Sequence, residues 1–415
     1  MPGEYGFPEG VTTIDIKELK NIITVNLREA VEAYRDHEIG GTLDKYDPKD
    51  VVKPLLAVGP PGIGKSQAVF QIVYEVNNAY NPEIVIEDEN IKAIADILRS
   101  YGEELHVIDL RLSQLDPTDI KGLPKFTDST VEWVLPEFLP RGGPGERFGI
   151  LFLDEINLAP PSVQAACYQL ILDRRVGSYE LPKGWIIVSA MNPPEMAQIA
   201  YPLPPPLVNR FTILYVEPNA REWIEWAITA GIHPDIIAFI STDPDRLFEF
   251  SPTGEPYPTP RSWEYVDIYL KRYEKEKTYT EDEFEALVTG SVGKKTGRIF
   301  LMYRKIERIL PVDEMVERIV RGEKVDPLEE IPPTVTVEGT EFRRIDVLSM
   351  IVISSIEIMG KHPELSAATV AKNTYNYLKY LENISKDHPV EIPPDIVRVW
   401  MILLDDMVRR FRGKR

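Results

Sequence analysis

The chain has 415 residues, of which 43% are hydrophobic and 27% charged, so it can bury a sizeable core in more than one domain. A formal net charge of -19 repels polyanions and makes nucleic acid an unlikely general partner. No apolar run approaches the ~20 residues of a membrane span, and the N-terminus lacks the basic and apolar parts of a secretory signal. With a single cysteine, Cys167, there is no internal disulfide, and we predict a cytoplasmic protein that does not contact membranes.

Strand-like and helix-like segments alternate in the first half of the chain. A helical pattern over about 11–37 belongs to a lead-in over 1–50, and five short apolar runs then predict strands. These runs are VVKPLLAVG, LHVIDLRL, GILFLDEI, WIIVSAMN and FTILYVEP. Longer helical patterns separate them, which is typical of buried parallel strands joined by crossover helices. The sequence therefore predicts an α/β, three-layer core over 51–217 with a parallel five-stranded sheet.

One helix of this core shows its buried face in the sequence. After the prolines at 160–161, apolar residues recur at the spacing of one helical face. Cys167 lies on that face and is expected to be a small core residue rather than a reactive thiol. The residues of this face are Val163, Ala166, Cys167, Leu170 and Ile171.

Beyond Pro218 the pattern predicts helices without strands, and we place a helical domain over 218–322. A polar connector then leads to two apolar helical segments, IDVLSMIVISSIEIMG and PDIVRVWMILLDDMVRRF, in an extension over 323–415. This extension is either a separate subdomain or a part that packs on the helical domain. We interpret the basic cluster at its end as a solvated helix terminus rather than a nucleic-acid site. The cluster consists of Arg409, Arg410, Arg412, Lys414 and Arg415.

The clearest motif is GPPGIGKS at 59–66, which matches the phosphate-binding pattern GxxxxGK[ST] between a strand and a helix. Its glycines allow backbone N–H groups to face a phosphate, and the next helix adds its positive end. Lys65 would reach the β- and γ-phosphates of ATP, and Ser66 would offer a hydroxyl to Mg²⁺. The alternative is a turn that matches by chance. The predicted nucleotide-binding residues are Gly59, Pro60, Pro61, Gly62, Ile63, Gly64, Lys65, Ser66 and Gln67.

A second motif ends the apolar run GILFLDEI with two carboxylates. Asp154, at the tip of a buried strand, would join Ser66 in holding Mg²⁺. Glu155 would orient and deprotonate the attacking water, which favours ATP hydrolysis over phosphoryl transfer to a small molecule. The alternative is that two acids only terminate a strand.

With these motifs in place, the chain resembles the MoxR-like members of the AAA+ P-loop ATPases. The resemblance covers about 24–303 and rests on several motifs in order. They are LRLSQLDPTDIKGLP, the run from WVLPEFLP to PKGW, SAMNPPE, PLVNRF and YPTPRSWE. It implies an ATPase core followed by a helical lid, and it does not cover the C-terminal extension.

The resemblance also assigns roles to three residues. Asn192 matches a polar sensor of the γ-phosphate, with a turn-capping role as the alternative. Arg210 matches an arginine finger that acts on the ATP of a neighbouring subunit, and Arg261 matches the lid arginine that closes over the nucleotide of its own subunit. For both arginines the alternative is structural ion pairing.

Two further segments are candidates for contacts with other chains. The resemblance implies a hairpin insertion near 123–149 that faces a pore or partner, with Trp133 and Phe138 as contact residues or as local packing. Asp173, Arg174 and Arg175 end a helix and either reach a neighbouring subunit or form a solvated helix end.

The resemblance implies an oligomeric ring, a hexamer in this family, that remodels or matures a client protein with the energy of ATP. A protein with a von Willebrand factor A domain is the client class that the resemblance implies. The alternatives are a motor stimulated by nucleic acid and an ATP-binding scaffold with little turnover. The five histidines are scattered and show no metal-ligand spacing.

Overall fold

The computed structural model describes residues 4–82, 84, 86–126, 131–177, 179–197, 199–358 and 365–413. The chain divides into two compact units, Met1–Glu217 and Pro218–Arg415. Across these described ranges, no helix combines the length and the apolar character that crossing a bilayer requires.

A parallel sheet of six strands lies at the centre of the first unit, in the order β1-β10-β2-β9-β6-β3. Two short antiparallel pairs, β4–β5 and β7–β8, lie outside this sheet. The strands in chain order are β1 (Thr13–Ile14), β2 (Leu55–Val58), β3 (His106–Arg111), β4 (Leu123–Phe126), β5 (Val131–Val134), β6 (Phe148–Asp154), β7 (Arg175–Val176), β8 (Tyr179–Glu180), β9 (Gly184–Met191) and β10 (Thr212–Val216).

All five strands predicted from the apolar runs lie in the sheet, but the prediction of a five-stranded sheet was wrong. The sixth strand, β1, has only two residues and adds to the edge beside Tyr215 and Val216. Two residues are too few to show the period of a strand, so the sequence pattern there predicts only the helix that follows. That helix begins at Ile16 rather than near 11, because Asp15 and Glu18 form a capping box there.

Helices cover both faces of the sheet and complete the three layers. Phe148 of β6 contacts Tyr34 on one face, while Leu151 and Leu153, of the opposite parity along the strand, pack with the helix that carries Cys167. Cys167 is buried, as predicted, and burial raises the pKa of its thiol to about 12. The helices of this unit are α1 (Ile16–Ile39), α2 (Lys65–Asn77), α3 (Glu89–Tyr101), α4 (Pro117–Lys121), α5 (Pro161–Asp173) and α6 (Pro205–Val208).

The second unit is helical apart from one hairpin. Its strands are β11 (Thr334–Val337) and β12 (Thr340–Arg343). Its helices are α7 (Ala220–Ala230), α8 (Pro234–Thr242), α9 (Pro260–Glu276), α10 (Glu281–Val292), α11 (Lys294–Arg304), α12 (Val312–Arg321), α13 (Pro327–Glu330), α14 (Arg344–Glu357), α15 (Ala367–Asp387) and α16 (Pro394–Gly413).

One hydrophobic core extends through this unit, including the residues after Gly322. Helices α8 and α14 pack together, the Ser241 and Ser349 hydroxyls lie 3.2 Å apart, and the Tyr303 hydroxyl donates to the Asp346 carbonyl at 3.1 Å. The C-terminal residues therefore pack on the preceding helices rather than forming a core of their own.

The connector to these C-terminal helices is more structured than its polar sequence predicted. It contains α13 and the β11–β12 hairpin, whose turn residues Glu338 and Gly339 both have positive φ, at 47° and 85°. Two consecutive residues with positive φ suit a tight hairpin turn. The alternating segment TVTV before them is a strand signal, but the polar composition of the whole segment predicted a connector instead. At the chain end, Arg409 pairs with Asp405 on the surface of α16, whereas Lys414 and Arg415 lie outside the described residues.

A charged network joins α8, α9 and α11. Ligand atoms of His233, Asp235 and Glu274 lie within 4.8 Å of one another, although the sequence showed no such spacing. The Arg304 guanidinium donates to Asp235 at 2.7 Å and to Glu274, so this site already holds a cation. In its neutral form the His233 ring caps α8 by accepting from the Asp235 backbone N–H at 3.2 Å, and its other nitrogen lies 2.9 Å from a Glu274 oxygen.

This network predicts a pH-dependent stability. Burial lowers the pKa of His233, but the Glu274 hydrogen bond and the Asp235 and Glu274 charges outweigh burial and Arg304, so the pKa is raised above 6.5. A raised pKa contributes stability that is complete below pH ~6.5 and is lost as the pH rises through the folded-state value. We expect His233→Asn, which keeps a helix cap, to remove this part of the pH dependence in urea unfolding of the full chain from pH 5 to 9. Identical pH profiles for the two proteins would contradict the assignment.

Candidate active site

The phosphate-binding motif forms a tight loop between β2 and α2. Gly62 and Gly64 have positive φ of 76° and 111°, which glycine adopts without steric cost. A Cβ on Gly59 would lie 2.4 Å from the Val216 carbonyl oxygen, so only glycine fits there. Helix α2 starts at Lys65 with no side-chain cap, and its first N–H groups have no acceptor within the helix. The loop thus provides backbone donors and a positive helix end for an anion.

Lys65 is buried at the centre of this loop. Its Nζ donates to the carbonyl oxygens of Gly59 and Pro60 at 2.7 and 2.8 Å and to Asn192 Oδ1 at 3.1 Å. Only 8% of the residue is exposed, so its charge depends on these oxygens for solvation. Lys65 therefore joins the loop to the strand tip that carries Asn192.

Ser66 and Asp154 form the second contact of the loop. The Ser66 hydroxyl donates to Asp154 Oδ2 at 2.9 Å, from the first turn of α2 to the end of β6. A hydroxyl and a carboxylate in contact beside a phosphate loop are a suitable oxygen donor set for Mg²⁺. The predicted metal ligands therefore lie together.

Glu155 follows in a strained conformation. Its φ of 56° places a residue that is not glycine in the left-handed region, at a cost of about 1–3 kcal/mol. Its N–H donates to Asp154 Oδ1 at 2.8 Å, and its carboxylate accepts from the Ser113 hydroxyl. We did not predict a role for Ser113 from the sequence, although it closely follows β3, the neighbour of β6. Its hydrogen bond fixes the carboxylate of the predicted base.

Asn192 lies directly after β9, beside the loop, because Met191 is the partner of Val58 in the sheet. Its side-chain oxygen accepts from Lys65, and its backbone oxygen accepts from the Asn157 amide at 2.8 Å. The strand register thus brings the predicted sensor next to the predicted phosphate site.

The end of β3 places further charges beside these residues. Arg111 is the sheet partner of Asp154, and Asp109 precedes it on the same face of the strand. Burial raises the pKa of Asp109, the Asp154 and Glu155 charges raise it further, and Arg111 lowers it. Negative potential is therefore concentrated at the carboxyl end of β3 and β6, where a divalent cation would be stabilised.

Three further predicted residues are exposed. Gln67 follows Ser66 on an exposed part of α2. Arg210 is exposed before β10 and lies at the amino end of the sheet, since Thr212 is the partner of Leu55. Arg261 is exposed in the first turn of α9, in the second unit.

The predicted insertion contains the β4–β5 hairpin. Several large apolar side chains of this segment are exposed, among them Leu123, Phe126, Trp133 and Phe138. Trp133 is 53% exposed and Phe138 is 38% exposed, so neither is a core residue. The tip at 127–130 lies outside the described residues.

Arg174 does not fit the prediction that 173–175 reach a neighbouring subunit or form a solvated helix end. It is buried at the end of α5, where its guanidinium donates to the carbonyl oxygens of Pro182 and Trp185 at 2.9 and 2.6 Å. Burial lowers its pKa to about 10. Its neighbours Asp173 and Arg175 are exposed, and Arg175 pairs with Glu180. Arg174 is thus a structural link between α5 and the start of β9.

No family model and no curated protein matches this chain. Among solved structures, it is similar to the Thermotoga maritima RuvB Holliday junction branch migration motor, with 15% identity, 79% of this chain and 91% of that chain covered, and a TM-score of 0.31. It is also similar to NtrX from Brucella abortus, with 15% identity, 74% and 62% covered, and a TM-score of 0.32. A third similar structure is Hsp104 with ATPγS and casein, with 14% identity, 74% and 48% covered, and a TM-score of 0.31. At these TM-scores the similarity carries no argument about function.

Arg174 and Arg175 provide a matched test of the structural link between α5 and the start of β9. We expect Arg174→Met to lower the free energy of unfolding by about 1–3 kcal/mol, since it leaves buried carbonyl oxygens without donors. Arg175→Met removes only a surface ion pair and should cost at most about 1 kcal/mol. Urea unfolding of both variants measures this difference, and equal losses would contradict the role of Arg174.

Proposed function

We propose that this protein hydrolyses ATP with Mg²⁺ at the loop 59–66, as a ring-forming AAA+ ATPase of the MoxR-like type that remodels a partner protein. The observation that carries the proposal is the pair of contacts Lys65 to Asn192 and Ser66 to Asp154. They bring four residues with complementary roles in phosphoryl transfer to one loop. Glu155 follows Asp154 directly.

Each residue has a chemical role in this proposal. The backbone of the loop and the Lys65 ammonium hold the β- and γ-phosphates, while Ser66 and Asp154 hold Mg²⁺. Bound there, Mg²⁺ would offset the negative charge that develops on the phosphate oxygens. Glu155 orients the attacking water and accepts its proton, while Ser113 holds one of its carboxylate oxygens. Asn192 contacts the γ-phosphate from the tip of β9.

Arg210 supports a site shared between subunits. It lies at the amino end of β10, whereas the phosphate loop follows the carboxyl end of the parallel strand β2. The four steps along the backbone from Leu55 to Gly59 alone span roughly 13 Å, so Arg210 is far from the loop of its own chain. A guanidinium there is available to a neighbouring molecule, as in a hexameric ring. The role of Arg261 as the lid arginine stays a prediction.

The client is proposed to be a protein, and a von Willebrand factor A domain protein is the class that the MoxR-like resemblance implies. The exposed apolar side chains of the β4–β5 hairpin support a protein partner, because soluble surfaces seldom group such residues without a contact to make. The charge of -19 opposes nucleic acid as the client.

Glu155→Gln tests the hydrolysis step. We expect it to lower phosphate release by roughly a hundredfold or more while ATP still binds, because the amide cannot accept the proton of water. Glu89→Gln, at an exposed side chain on α3, is the control and should turn over normally. Full activity of Glu155→Gln would remove Glu155 as the base.

Arg210→Ala tests the shared site. Arginine fingers contribute ~10³ to 10⁵ to the rate in GTPases, so we expect a loss of this order with ATP binding retained. Mixing Arg210→Ala with Glu155→Gln should restore part of the turnover, since some interfaces then combine an intact base with an intact finger. Arg221→Ala, at another exposed arginine, is the control. No recovery on mixing, with masses by light scattering that match a ring, would contradict action between subunits.

A further inference from the structure

Asn157 occupies a junction between three parts of the first unit. It lies two residues after Glu155 and is only 2% exposed. Its side-chain Nδ2 donates to the Asn192 backbone oxygen at 2.8 Å, and its own backbone oxygen accepts from the Tyr201 N–H at 2.7 Å. The next residue back, Ile156, donates to the Ala190 carbonyl of β9 at 3.2 Å. One short turn therefore contacts the strand that leads to Asn192 and the segment that leads to Arg210.

Only half of the Asn157 side chain is satisfied. Within the described part of the chain, its Oδ1 is buried without a hydrogen-bond partner. A buried acceptor without a donor costs at least as much free energy as one hydrogen bond contributes. Stability alone therefore does not explain why an amide side chain occupies position 157.

The surroundings give the Nδ2 hydrogen bond a purpose. A cavity of about 380 Å³ lies beside Asn157 and is lined by Met191, Pro194 and Tyr201 among other residues. Because side chains do not fill this space, packing leaves the backbone after β9 room to shift on this side. The hydrogen bond from Asn157 holds that backbone at Asn192, whose side chain accepts from Lys65.

We propose that Asn157 is a positioning residue, which keeps Asn192 aimed at the γ-phosphate while ATP is hydrolysed. This rests on the proposed function. Asn157 does not touch the nucleotide in this proposal and acts through the Asn192 backbone. Because Asn157 lies two residues after Glu155, the turn that carries the proposed base also holds the backbone of the proposed sensor.

The test combines Asn157→Leu with Asn192→Ala. Leucine resembles asparagine in shape but has neither the donor nor the unpaired acceptor, so we expect thermal stability to be unchanged or higher. Turnover should fall roughly tenfold to hundredfold, the loss typical of a misplaced catalytic group, with the affinity for a fluorescent ATP analogue unchanged. The double variant should lose no more turnover than Asn192→Ala alone, because no sensor side chain is left to position.

A matched control is Gln164→Glu. Gln164 is also 2% exposed, and its side-chain amide donates to the Ala159 carbonyl at 3.2 Å, away from the phosphate loop. This variant should lose stability but keep kcat for its folded fraction. Asn157→Ala, which adds no volume, replaces Asn157→Leu if leucine prevents folding.

Two results would overturn the proposal. One is a double variant whose loss of turnover is the product of the two single losses. The other is an Asn157→Leu variant whose turnover falls only in proportion to its folded fraction, as expected for Gln164→Glu. Wild type and Glu155→Gln are assayed in the same series. A wild type without Glu155-dependent turnover would overturn the proposed function as well, whereas an active wild type with multiplying losses overturns only the role of Asn157.

Discussion

The buried ammonium of Lys65 is the interaction on which the rest of the site depends. A charge that is almost fully removed from water needs several oxygens around it, and Lys65 finds them on the loop at Gly59 and Pro60 and on Asn192. These bonds tie the loop to the residue that follows β9, which the sheet already places beside β2. In the proposed reaction, a phosphate that enters meets a cation whose position is already determined.

The parallel sheet explains why residues far apart in the sequence meet at this cation. Strands β2, β9 and β6 lie side by side and run parallel, so the loop, Asp154 and Asn192 all lie at the carboxyl ends of the strands. Open α/β sheets bind ligands at the carboxyl ends of their strands for the same reason. Arg210 precedes β10 and therefore lies at the amino ends of the strands. This separation is what divides the proposed reaction between two subunits.

Much of this arrangement was predictable from the sequence, because local rules determine it. The phosphate loop has fixed spacing, buried strands appear as apolar runs, and Cys167 follows the period of its helix. The predictions failed where tertiary contacts decide. Strand β1 has no recognisable period, and the β11–β12 hairpin lies in a polar connector. Arg174 is buried where carbonyl oxygens from another segment accept its hydrogen bonds. Ser113 and Asn157 acquire their roles only through partners distant in the sequence.

Calorimetric titration of the full chain with ATP and Mg²⁺, beside Lys65→Met, tests the central claim most directly. Methionine keeps most of the side-chain volume but removes the charge and its hydrogen bonds. The account predicts one nucleotide per wild-type chain and an affinity lower by about tenfold to hundredfold in the variant, the equivalent of losing charged hydrogen bonds worth about 1.5–3 kcal/mol. Equal affinities, or no binding to wild type, would contradict a nucleotide site organised around Lys65.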